Sequence, residues 1–185
     1  MNDSTTCTAF EGSRRIASGI LPEVAAAAKK AMDRGPRAPV LIFDDVTSEL
    51  VEIDFRKSLP KPPPPEPEPD APRPVGRPKL GVVAREVTLL PRHWEWLNGQ
   101  PGGASVALRK LVEHARKANE GRDRVRRARE SAYRFMSAMA GNEPGFEEAT
   151  RALFAGDRKR FDQHVRCWPA DVREHAQKLA VAAIP

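Results

Sequence analysis

The residues of this chain best suited to chemistry are cations at regular spacing. Arg77 and Lys79 flank Pro78 in GRPKLG (76–81), Arg85 opens REVTLLP, Arg92 and Arg109 follow, and Arg122, Arg126 and Arg129 recur at helical spacing. A guanidinium presents five N–H donors in a planar fork that fits phosphate and carboxylate oxygens. The chemistry on offer is recognition of a polyanion. Its placement is uneven: residues 73–140 hold fifteen Lys and Arg against six Asp and Glu, a balance of +9, whereas the whole 185-residue chain carries +6. Residues 1–60 balance at −1, 61–72 at −2 and 141–185 at 0. A block of one sign attracts phosphate because each neutralised phosphate releases condensed counterions. The same block also suits a solvated basic helix face, and charge alone does not separate the two.

Other reactive groups are less promising. Asp44, Asp45, Glu49, Glu52 and Asp54 form a carboxylate run through VLIFDD and LVEIDF. Alternation along a strand puts Glu52 and Asp54 on one face and Val51, Ile53 and Phe55 on the other, the pattern of a solvated polar face. Divalent-metal or acid-base work would need a histidine or further carboxylates from elsewhere. His164, Cys167 and His175 lack a zinc-site spacing, and Cys7 and Cys167 stand far apart without CxxC, so both read as free thiols. Trp94, Trp96 and Trp168 are able to stack on unpaired bases, but at helical spacing beside leucines Trp94 and Trp168 read as core. No GxSxG, P-loop, GxGxxG or HExxH segment is present. The expectation is therefore no catalytic residue, no metal and no cofactor; an enzyme built from these residues would be of an unfamiliar kind.

The cations must be positioned by short elements on either side of a proline tract. PKPPPPEPEPDAPRP (60–74) holds nine of the eighteen prolines and reads as a polyproline-like spacer, which a protein partner that recognises PxxP would also fit. The expected order is an α+β module at 1–58, a Pro-rich linker at 59–79, a segment at 80–118 and a helical C-terminal region at 119–185. In the first module CTAFEG and RRIAS read as strands around a Glu-Gly turn. LPEVAAAAKKAMDRG reads as a helix with proline near its start and glycine at its end, and VLIFDD with LVEIDF as a hairpin. The order is strand, strand, helix, strand, strand. Behind the linker, 84–90 is strand-like, 91–98 is a helix opened by Pro91, 103–118 a second helix and 122–139 a third. Three short helices follow in GFEEATRALFAG, DRKRFDQHVRCW and PADVREHAQKLAVAA, with Asp157 as an N-cap. Hydrophobic residues make up 40% but aromatic ones only 6%, so the cores should be alanine-rich. Apolar runs such as VAAAA (24–28) are too short to span a bilayer and no signal peptide is apparent, so a soluble cytoplasmic protein is expected.

Two segments resemble known DNA-binding elements. REVTLLPRHWEWLNGQPGGASVALRKLVEHARK (85–117) gives a strand, Leu90-Pro91, a short helix with Trp94 and Leu97, a glycine turn, and an amphipathic helix with Ser105, Leu108, Leu111, Val112 and Ala115. This order resembles the ribbon-helix-helix repressors. The resemblance implies that strand 84–90 pairs antiparallel with its copy in a homodimer, and that the ribbon enters the major groove of double-stranded DNA. With Leu90 inward, Arg85, Val87 and Leu89 face the groove, and only the arginine can read a base edge. The amides of Gly103, Ala104 and Ser105 would meet a phosphate. GRPKLG resembles the core of an AT-hook, which implies Arg77 in the minor groove of A·T-rich DNA; Val75 stands where that family has a basic residue.

Taken whole, the chain resembles a bacterial family classified only as a domain of unknown function, through AFEGSRRIASG, VGRPKLGVVAREVTLLPRHWEWL, QPGGASVALRKLVEHAR and WPADVREH. That family brings no activity with it. The combined expectation is a DNA-binding protein, a transcriptional regulator or nucleoid-associated protein, located at the nucleoid. Its contacts would be Arg77, Lys79, Arg85, Val87, Leu89, Arg92, Gly103, Ala104, Ser105, Arg109, Arg122 and Arg126. The same strand and helices also suit a protein-interaction or dimerisation module without DNA, because pairing between chains and pairing within one look alike in sequence.

Overall fold

The computed structural model describes residues 6–35, 38–55, 81 and 83–185. Strand β1 (Thr6–Glu11) pairs antiparallel with β2 (Arg14–Ile20) across the expected Glu11-Gly12 turn. Gly12 has φ +57, and a Cβ there would lie 2.9 Å from the Ala38 Cβ, so the turn takes glycine for conformation and for space. Helix α1 (Leu21–Asp33) has Pro22 in its first turn with Glu23, carries Lys30 in its last, and buries Val24, Ala25, Ala28 and Ala31 along one stripe. Strand β3 (Val40–Asp44) then joins the free edge of β1, giving an antiparallel sheet of order β2-β1-β3.

The fourth strand expected from LVEIDF is reduced to a single bridge, Phe43 to Leu50. Backbone bonds from Asp44 N–H to Glu49 O (2.9 Å) and from Val51 N–H to Ile42 O (2.8 Å) close the hairpin. Beyond Val51 side-chain packing replaces the ladder: Val51, Ile53 and Phe55 lie against the sheet cluster while Glu52 and Asp54 are exposed. The alternation expected of these five residues holds although the strand does not.

Among the described residues five helices follow: α2 (Pro91–Asn98), α3 (Gly103–Ala140), α4 (Phe146–Ala155), α5 (Arg158–His164) and α6 (Ala170–Ala183). The helices expected at 103–118 and 122–139 are one continuous helix. A glycine inside a helix costs only about 1 kcal/mol relative to alanine, and Gly121 is flanked by good helix formers. Nearby ion pairs at helical spacing, Glu113 with Arg116 (2.9 Å) and Arg126 with Asp123 (3.2 Å), favour continuation. The tail helices start and stop where glycine, aspartate and proline place them. Asp157 accepts the Arg160 amide at 3.0 Å as the N-cap of α5. Gly145 precedes α4 at φ +80, and a Cβ there would sit 2.8 Å from the His164 carbonyl oxygen. Helix α5 ends at His164, earlier than the DRKRFDQHVRCW run suggests, and the chain turns through Val165 to Trp168 before α6.

The largest buried cluster joins residues that the sequence assigns to separate regions, 1–58 and 119–185. Phe10 of β1 and Phe43 of β3 pack with Phe135 and Met136 of α3, Leu153 of α4, Phe161 of α5 and Val172 and Ala176 of α6. A smaller cluster of Cys7, Ala9, Val24, Ala28 and Ile42 fills the space between the sheet and α1. Trp168 is buried as expected and donates its Nε1–H to the Pro144 carbonyl at 3.0 Å. Polar ties reinforce the joint. The Arg15 amide donates to Asp171 (2.8 Å), and Ser48 and Ser131 share a buried hydroxyl bond at 2.9 Å. The chain divides into two compact units, Met1–Pro64 with Gly121–Pro185, and Pro65–Glu120; α3 contributes to both. No described helix is long and apolar enough to cross a membrane.

Candidate nucleic-acid interface

In the unit Pro65–Glu120, residues 83–90 form no ladder with any described residue. Residues 83–88 and Leu90 are exposed, and Leu89 is the most covered of the run. The strand expected at 84–90 is therefore not formed among the described residues, since a ladder needs a partner. The inward position expected for Leu90 is likewise unfilled, its side chain being 47% exposed. Helix α2 spans the residues expected of it, buries Leu97 and leaves Trp94 half-buried and Trp96 exposed. Leu90, its N-cap, is extended at φ −67 and ψ 150, as the residue before a proline must be.

The turn into α3 runs through Gly102 and Gly103, both at positive φ. Of the three amides expected to meet phosphate, that of Gly103 is already bound to the Gln100 carbonyl at 2.9 Å. Gly103 and Ala104 are half-buried and Ser105 is exposed, with its carbonyl accepting Arg109 Nε at 3.1 Å. Arg85, Arg92 and Arg109 are exposed, as is Val87. On the first turns of α3, Leu111 and Val112 also face solvent, at 48% and 64% exposure. Arg77 and Lys79 lie outside the described residues.

The remaining expected cations belong to the other unit. Arg122 and Arg126 stand on α3 past Gly121, with Arg129 one turn on. Arg126 is paired with Asp123 and, at 3.5 Å, with Glu130. Arg129 Nε donates to the Ala183 carbonyl of α6 at 3.1 Å, which fixes its guanidinium to the tail. Arg134 donates to the Thr47 carbonyl and lies 3.7 Å from Glu49. A hollow of about 430 Å³ opens against Arg122, Val125, Arg126, Arg129 and Phe154. A second of the same volume is lined by Tyr133, Arg134, Ser137 and Phe154, and Glu130 borders both. Tyr133 and Phe154 were not among the residues the sequence singled out. Their signal was available in part, since Tyr133 continues the 122, 126, 129 spacing by one step.

Asp44, Asp45 and His175 make contacts within the fold. Asp44 Oδ1 accepts the amides of Val46 (2.8 Å) and Thr47 (2.7 Å), closing the turn, and Asp45 accepts the Thr8 hydroxyl at 2.6 Å. No group of three or more metal-ligating side chains occurs among the described residues. Cys7 is fully buried, and burial with Asp44 and Asp45 nearby pushes its thiol up to about 11. His175 sits between Phe10 (5.5 Å) and Phe135 (4.5 Å) with Nε2 unpartnered, and burial lowers it to about 4.

No curated protein and no solved structure matches the chain. One family profile does, over residues 6–180, so it takes in the sheet, the proline-rich tract, the unpaired segment and nearly all of the helical tail. The chain belongs to the bacterial family described as an uncharacterized protein conserved in bacteria (DUF2239).

Proposed function

We propose that this protein binds double-stranded DNA as a homodimer, acting at the nucleoid as a transcriptional regulator or nucleoid-associated protein. The observation that carries the reading is the exposed, unpaired run 83–90 directly ahead of α2 and α3. Its N–H and C=O groups form an edge with no ladder partner among the described residues. Val83, Val87 and Leu90 on that run are exposed, and so are Leu111 and Val112 on α3. Antiparallel pairing of two copies would satisfy the edge and give these apolar side chains a surface to cover, as in a ribbon-helix-helix dimer. Arg85 would then face the groove with Val87 and Leu89 beside it. Arg92, Arg109, Arg122 and Arg126 supply phosphate contacts, joined by the Ala104 and Ser105 amides and by Arg77 and Lys79 of the GRPKLG segment. With so few base-reading groups, most of the affinity is electrostatic and falls steeply with salt.

Changing Arg77 and Arg85 together to alanine should weaken duplex binding more than the paired change of Arg166 and Arg173 in the neutral tail. Equal losses from the two pairs would remove the ribbon from the interface. One observation favours a second reading, a protein-interaction module: Trp96 is 54% exposed on α2, an amphipathic ring with no role in the buried clusters. Association with a protein that is insensitive to salt, with no duplex binding at low salt, would select that reading.

A further inference from the structure

We infer that the α3–α4 face of the unit containing the sheet is a second binding site, one that takes an unpaired nucleic-acid strand. The two hollows described above are consecutive along α3: the first is lined from Gly121 to Glu130 and the second from Glu130 to Ser137, with Phe154 of α4 between them. Their linings hold four arginines, Arg122, Arg126, Arg129 and Arg134, and one carboxylate, Glu130, with Asp123 paired to Arg126 and Glu49 lying 3.7 Å from Arg134. Phe154 walls both hollows and Tyr133 adds a second ring in the second, while the cations run from Arg126 to Arg134 over about two helical turns, roughly 12 Å along the axis. A chain with an anion and a flat base at every step matches such a row.

The aromatic walls are not part of the fold's core. Tyr133 and Phe154 are 43% and 47% exposed, although Ala132, Phe135, Met136 and Leu153 beside them are fully buried. Their rings stand 5.9 Å apart at 60°, and Phe146 backs Tyr133 at 6.4 Å. Stacking on exposed rings tolerates any base sequence, because every base has a π face. The cations are held in advance. Arg129 is tied to Ala183, and that bond uses one of five guanidinium donors. Arg126 is clamped by Asp123 and Glu130. Fixing a side chain before the ligand arrives reduces the ordering cost of binding. An acidic peptide would satisfy the arginines but makes no regular use of both rings, so the nucleic-acid ligand is the better fit.

This site shares Arg122 and Arg126 with the proposed duplex contacts but not the ribbon, and its two rings, Tyr133 and Phe154, are its own, so one experiment separates the two. Anisotropy of a labelled oligothymidylate and of a labelled duplex is measured against the full-length protein and against Tyr133→Ala, Phe154→Ala, Phe154→Leu and Glu130→Gln, with an oligoglutamate peptide as competitor. The expected result is salt-sensitive binding of the single strand, weakened at least about fivefold by either alanine change, while duplex affinity stays within about twofold. Phe154→Leu keeps the apolar volume without the π face and should bind the strand as weakly as the alanine variant; Glu130→Gln should bind it more tightly. Four outcomes would overturn the inference: no binding of the single strand, full affinity in the leucine variant, equal losses for strand and duplex, or displacement by oligoglutamate at lower concentration than by unlabelled strand. Duplex binding that fails while the strand still binds would sink the ribbon reading and leave this site standing.

Discussion

One side chain, His175, should contribute measurably to the destabilisation of this fold by acid. The imidazole is buried against Phe10 and Phe135 with no partner for Nε2, so its charged form loses water without a hydrogen bond at that nitrogen in return. Lys178 and Arg15 push the same way and Asp45 opposes, leaving the folded value at about 4 against an ordinary 6.5. The folded value is the lower one, so the stability contribution is complete above 6.5. As the pH falls below 6.5 the unfolded histidine binds a proton that the folded one refuses, and each pH unit favours unfolding by about 1.4 kcal/mol until about pH 4. Between about pH 7 and pH 4.5 the loss comes to about 2 kcal/mol from this group alone. Acid acts on the rest of the protein as well, so the comparison must be between two proteins. His175→Phe keeps a flat ring between the two phenylalanines and has nothing to protonate. Urea unfolding followed by circular dichroism at both pH values should show the wild type losing about 2 kcal/mol more than the variant. Any packing cost of the larger ring appears at both pH values and cancels. An identical loss in the two proteins, or a His175 that titrates near 6.5 by NMR, would refute the reasoning.

The two thiols should differ sharply in reactivity: an exposed Cys167 reacts quickly with a disulfide reagent near pH 8, while Cys7, buried and raised to about 11, reacts only on unfolding. Two fast thiols in the native protein would contradict the placement of β1. Ser131→Ala removes the partner of the buried Ser48 hydroxyl and should cost about 1–3 kcal/mol by denaturant unfolding, with part of the loss recovered when Ser48→Ala is added. A single variant as stable as the wild type would mean that this bond does not tie the β3 turn to α3.

How much of this was legible in the sequence depends on how local each signal is. Pro91 opens α2, Asp157 caps α5 and the alternation of Val51 to Phe55 sorts core from solvent, each through contacts a few residues long. The fate of Asn119–Gly121 was harder, since a breaker's cost competes with helix formers on both sides and the sum decides. The joint of Phe10 and Phe43 with Phe135 and His175 was invisible, because nothing in β1 or β3 signals which distant helix covers it. For the candidate sites, the arginine spacing along α3 could be read directly, as could the Leu-Pro step before α2. The hollows beside Phe154 could not, since they depend on how α4 meets α3. The segment 84–90 is a third case: its strand-like pattern is plain, but sequence does not say whether such a strand pairs within a chain or between two.

The measurement closest to the central claim is an anisotropy titration of the full-length protein against labelled A·T-rich and G·C-rich duplexes at several salt concentrations, with solution mass recorded on the same samples. The account predicts a dimer whose logarithmic affinity falls linearly with the logarithm of salt, with a preference for A·T-rich DNA if Arg77 enters the minor groove. A monomer that ignores both duplexes even at low salt would contradict it.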